Sequence, residues 1–119
     1  MKATGLRLIA VSCLFFGLTL GTETRAASDF KVTLIGTGSP IPQPDRFGPS
    51  TLVEAGGQKL LFDAGRGAPI RLWQVKVPLS KIDVLFITHY HSGHTSGIAD
   101  LWLTGLLETP FGGRTTIMR

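Results

Sequence analysis

Residues 88 to 97 read Thr88-His89-Tyr90-His91-Ser92-Gly93-His94-Thr95-Ser96-Gly97, and they hold all three histidines of a 119-residue chain. His89 and His91 are two positions apart, so on extended backbone both imidazoles face the same side. His94 lies three residues further on, just before a predicted helix, and can turn back toward them. Imidazole is a borderline donor that suits zinc and other divalent transition metals. Three histidines in six positions is not a core-packing pattern, although a polar loop with surface histidines is the plain alternative. Gly93 sits where a metal site would most want a carboxylate. The stretch is therefore a working metal centre, a damaged one, or an accident, and its surroundings must decide.

The residues leading into it, Ile82 to Thr88, form a nearly continuous apolar run, as expected of a strand covered on both faces. Upstream, Phe30 to Ile35 alternates and is rich in β-branched residues, which predicts a strand ending at the loop Gly36-Thr37-Gly38-Ser39-Pro40. Prolines 40, 42, 44 and 49 keep the next stretch out of helix and sheet. Ser50 to Ala55 and Gln58 to Phe62, joined by Gly56-Gly57, predict a hairpin whose turn can take positive φ angles. Its second strand runs into Asp63. Ala68 to Val75 fits a short helix stopped before Pro78, and Ile98 to Leu107 fits a helix beginning just past the histidines. Trp73, Trp102 and Phe86 are expected in the core, not on a binding surface. Ser39 and Ser50 have no base assigned to them and are not credible nucleophiles.

The start of the chain has a different character. Lys2 and Arg7 precede an apolar run from Leu8 to Leu20, and Thr24-Arg25-Ala26 makes a small-x-small junction. That layout is a secretory signal peptide over residues 1–26, cleaved near Ala26, with a mature domain over 27–119. About 13 apolar residues fall short of the roughly 20 that span a bilayer, so no membrane association is expected after cleavage. Cys13, the only cysteine, lies mid-run and leaves with the segment, so a secreted or periplasmic product would hold no disulfide. Loss of Lys2, Arg7, Arg25 and Glu23 takes the net charge from +4 to +2. No Lys/Arg run remains, and composition indicates no nucleic-acid partner.

The histidine stretch after an apolar strand resembles the H-x-H-x-D-H signature of the metallo-β-lactamase fold superfamily. Leu34-Ile35-Gly36-Thr37-Gly38-Ser39-Pro40-Ile41-Pro42, with Arg46 and Gly48-Pro49-Ser50 after it, and Leu60 to Gly67 (L-L-F-D-A-G-R-G) are similar to the opening of ribonuclease Z-like and arylsulfatase-like members. The resemblance covers roughly residues 30 to 110. It implies an α/β fold, here the N-terminal half of a four-layer αβ/βα sandwich, with one or two zinc ions at the strand ends. It also implies hydrolysis of a phosphodiester, ester, sulfate or lactam bond by zinc-activated water. The residues matching His89 and His91 bind the first metal, and the residue matching His94 the second. Asp63 matches a carboxylate that braces the metal loop; as a residue before Gly65 it is also readable as an ordinary turn. Gly36, Thr37 and Gly38 form either a substrate loop offering backbone N–H groups to an anion or a simple tight turn.

The chain departs from that pattern in two places. Gly93 stands at the position of the second metal's Asp, and no histidine follows His94. The only carboxylates downstream are Asp100 and Glu108. The expectation is a truncated domain that holds one zinc and turns over little substrate. Half a sandwich would also leave one sheet face bare, favouring self-association. The alternative is a non-enzymatic exported protein that binds metal or self-associates.

Overall fold

Alternation of apolar and polar side chains builds the sheet that carries the histidines. In the computed structural model, which describes residues 30–107 and 109–119, strands β1 (Lys31–Gly36), β2 (Ser50–Ala55), β3 (Gln58–Phe62) and β4 (Val84–Phe86) lie in the order β1-β2-β3-β4. The predicted signal segment and Glu108 lie outside the described residues. The first two pairings are antiparallel and β3 with β4 is parallel. The hairpin has the predicted limits, and Gly56 and Gly57 take φ of 57° and 79°, which a two-residue turn needs and only glycine adopts freely. The parallel step is made by helix α1 (Ala68–Gln74), which crosses from β3 to β4. Two further helices follow, α2 (Ser92–Thr95) and α3 (Ile98–Leu106).

Both long helices pack on one face of the sheet. There Ile35, Leu52 and Leu61 meet Ala68 and Leu72 of α1 and Leu101 of α3, with Val77, Leu79 and Ile82 filling the connection. The other face carries Val32, Leu34, Val53, Leu60, Phe62, Val84 and Phe86. Val32, Leu34 and Phe86 are 51%, 67% and 44% exposed, so this apolar face is bare, as the half-sandwich reading expects.

Three expectations need correction. Strand β4 is three residues long and half-covered, because helices reach only one of its faces. For the same reason Phe86 stacks on Phe62 across the bare face, ring centres 4.8 Å apart, and does not enter the core. Trp73 and Trp102 are 48% and 40% exposed on the outer sides of their helices, Trp73 lying against Phe111. At the end of the chain Arg119 exchanges two backbone hydrogen bonds with Asp83 and Leu85, so this segment touches the free edge of β4. Buried Arg114 secures that segment by donating to the carbonyls of Leu79 and Ile82.

Truncating Leu61, which has no exposed surface, to alanine is expected to cost about 3 kcal/mol. Val32→Thr on the bare face should change stability by less than about 0.5 kcal/mol. Urea denaturation of the two variants beside the parent checks the contrast.

Candidate metal centre

Parallel strands β3 and β4 end side by side, and the ladder continues one step beyond them: the Asp63 N–H donates to the Phe86 carbonyl at 2.7 Å. Asp63 then turns out of the sheet with φ of 62°, an unusual angle for a residue with a Cβ. Buried Ser50 donates its hydroxyl to the Asp63 carbonyl at 2.9 Å and holds the turn. The result aims the Asp63 carboxylate at the histidine loop. Thr88 N–H donates to Oδ1 at 2.8 Å, the Thr88 hydroxyl to Oδ2 at 2.8 Å, and His94 Nδ1 lies 2.7 Å from Oδ2. Burial pushes this carboxyl up, but the Thr88 N–H, His94 and the Thr88 hydroxyl together outweigh it and hold Asp63 below its ordinary value. Asp63 is thus a brace, not merely a turn residue.

The hydrogen bonds also determine which ring nitrogens face outward. A carboxylate only accepts, so His94 must donate from Nδ1, which leaves its Nε2 free. The Thr88 hydroxyl spends its one proton on Asp63, so at 3.2 Å it accepts from Nδ1 of His89. His89 likewise presents Nε2. Thr88 was not singled out in the sequence; a threonine directly before the first histidine and level with an Asp at the neighbouring strand end was the available signal.

Backbone contacts fix the loop as firmly as the carboxylate does. Ala64 donates to the His94 carbonyl and accepts from Gly97 N–H, each at 2.8 Å. Gly65 and Gly97 make this possible: a Cβ on Gly65 would collide with the Gly93 carbonyl, and one on Gly97 with the Gly65 carbonyl. His91 caps the start of α2, its carbonyl accepting from His94 N–H at 2.9 Å.

The three imidazoles come together. The rings of His89 and His91 meet edge to face with centres 4.8 Å apart, and those of His89 and His94 are 3.9 Å apart. Two imidazoles on one zinc, each with a bond of about 2.1 Å, place ring centres about 5 Å apart, so the first pair fits a shared ion. Among the described residues no group of three or more His, Cys, Asp or Glu side chains is arranged to hold a metal ion, so only the His89–His91 pair has the spacing of a shared ion. Gly93 is buried, yet a Cβ there would meet only Pro40, at 3.9 Å, an ordinary contact. The backbone there would therefore accept a Cβ without a clash. Asp100 binds Thr104 on α3 and takes no part. The Gly38 N–H is committed to the Phe47 carbonyl at 2.6 Å, so the Gly36-Thr37-Gly38 loop does not offer that donor.

Comparison with known proteins gives a consistent picture. Residues 30–114 match the family described as anti-Pycsar protein Apyc1. Ribonuclease Z of Mycobacterium avium (strain 104) is 49% identical over 79 residues, covering 66% of this chain and 28% of that protein. Ribonuclease Z of Mycobacterium marinum is 46% identical over 84 residues, covering 67% and 30%. The chain thus spans less than a third of the length of these curated relatives. Among solved structures, the short form of human tRNase Z superposes with a TM-score of 0.59 at 34% identity, over 63% of this chain and 29% of that one. The metallo-β-lactamase fold protein YhfI from Bacillus subtilis gives 0.60 at 30% identity, over 65% and 32%.

Asp63→Asn should destabilise the protein by about 3 kcal/mol in chemical denaturation, because it leaves the Thr88 and His94 donors without a charged acceptor. An effect below about 0.5 kcal/mol would mean that the carboxylate does not brace the loop.

Proposed function

We propose a function from one premise: the chain belongs to the family described as anti-Pycsar protein Apyc1, within the ribonuclease Z-like part of the metallo-β-lactamase fold superfamily. It is the metal-binding front portion of a zinc-dependent hydrolase that acts on phosphodiester bonds. The observation that carries this reading is the convergence of His89, His91 and His94 behind a single carboxylate, with Nε2 of His89 and His94 left free. The ribonuclease Z names of the relatives favour a phosphodiester over an ester, sulfate or lactam.

His89 and His91 would hold the first ion, with His94 directed at a second. Zinc, when bound, supplies Lewis-acid polarisation and an activated water. The chain's own residues contribute orientation and tautomer: Asp63 draws the Nδ1 protons of both outer rings to its own side, directly and through Thr88. Gly93 contributes no side-chain ligand, and within these 119 residues no histidine follows His94. The chain by itself therefore binds zinc and hydrolyses little. The residue 1–26 pattern supports export, and with no Lys/Arg run in residues 27–119 a small phosphodiester suits the site better than RNA.

Equilibrium dialysis of the full chain against zinc tests the metal assignment. We expect one ion, lost in His91→Ala and retained in Gly93→Asp with a second, weaker ion gained there, and hydrolysis of bis(p-nitrophenyl) phosphate near background in all three. Undiminished zinc binding by His91→Ala would overturn the assignment, and robust zinc-dependent turnover by the parent would overturn the claim of low activity.

A further inference from the structure

The end of the sheet remote from the histidines carries a second concentration of charge. Between the β2–β3 turn, the end of α1 and the 3-10 turn Leu79–Lys81 lies a cleft of about 570 Å³, lined by Lys31, Lys59, Lys76, Lys81, Glu54 and Asp83. The volume is in the ordinary range for small-molecule sites. Lys59 and Asp63 are four residues apart on one strand, so the cleft lies about 13 Å along the sheet from the brace. These lysines are scattered in the sequence and form no run; only the register of β1, β2 and β3 and the return of the chain after α1 bring them together.

Both carboxylates in the cleft are already committed. Glu54 lies 3.2 Å from Lys31 Nζ and 3.2 Å from Lys59 Nζ. Asp83 accepts the Lys59 backbone N–H at 2.7 Å. Among the described residues Lys76 and Lys81 form no ion pair. The lining therefore has four cations against two anions, and this excess matches a phosphate monoester near its dianionic form.

Lys76 adds an independent observation. It follows α1 with φ of 62°, in the left-handed position that ends a helix and usually belongs to glycine. Its N–H donates to the Trp73 carbonyl and that of Val77 to the Leu72 carbonyl, which fills two of the carbonyls at the negative end of the helix. Lys76 is at the same time one of the residues that line the cleft, so the helix end fixes the backbone from which its side chain departs.

We infer that this cleft binds the phosphate group of a small phosphorylated molecule. Lys76 and Lys81, which form no ion pair among the described residues, line it together with Lys31 and Lys59, both of which lie against Glu54. The inference is independent of the metal assignment.

The test titrates the full chain with inorganic phosphate, and separately with adenosine 5′-monophosphate, at constant ionic strength, following amide chemical shifts. Saturable shifts are expected at residues 57–59 and 75–83, with inorganic phosphate alone sufficient if the phosphate group is the recognised element. Lys76→Ala with Lys81→Ala should weaken binding about tenfold, and His89→Ala should leave it unchanged. Lys76→Gly should raise the unfolding temperature while weakening binding, which separates loss of a ligand contact from misfolding. Shifts centred on the histidine loop, an affinity indifferent to both lysines, or binding seen only with long polyanions such as heparin would each overturn the assignment.

Discussion

The carboxylate of Asp63 is the constraint on which the histidine loop depends. It is buried, it accepts from Thr88 N–H, from the Thr88 hydroxyl and from His94, and it sits at the exit of one strand facing the exit of its parallel neighbour. A buried charge of this kind is costly unless its lone pairs are filled. Here they are filled by the groups that must be positioned, so satisfying the carboxylate and ordering the loop are one event. Its donors also determine the proton positions on His89 and His94. A loop that would otherwise sample many arrangements is held with two imidazole lone pairs outward.

The brace works only because backbone segments can approach closely around it. Asp63 leaves the sheet by a left-handed residue, and Gly65 and Gly97 let the strand exit and the helix start touch without side chains between them. Behind them, Leu61, Leu72 and Leu101 are fully buried and lock α1 and α3 to one face of the sheet. Rigidity at the strand end follows from that packing, while the opposite face, with Val32, Leu34 and Phe86 exposed, contributes little to it. The fold is thus well ordered on the side that mounts the histidines and bare on the side where a sandwich would continue.

Much of this was legible in the order of residues. Period-two alternation and Gly56-Gly57 define the hairpin, and Pro78 and the apolar spacing define α1, because these are local effects. The histidine loop and the family resemblance were readable for a related reason: their spacing is short and their chemistry narrow. What escaped the sequence was non-local. Thr88 gains its role only opposite Asp63, Ser50 only beneath the Asp63 turn, and the four lysines only when three strands and a helix end meet. Phe86 and the tryptophans were misplaced because an apolar run does not reveal whether a second layer exists to cover it. Gly93 changed meaning as well, since the space around it leaves room for a Cβ, so close packing does not demand a glycine there.

Asp63 dictates which nitrogens of the loop are available. The most direct measurement is a long-range ¹H–¹⁵N correlation spectrum of the metal-free full chain, recorded with its histidine rings neutral. His89 and His94 are both expected to carry their proton on Nδ1 and to show unprotonated Nε2. An Nε2–H tautomer at His94, or rapid averaging of both nitrogens, would contradict it.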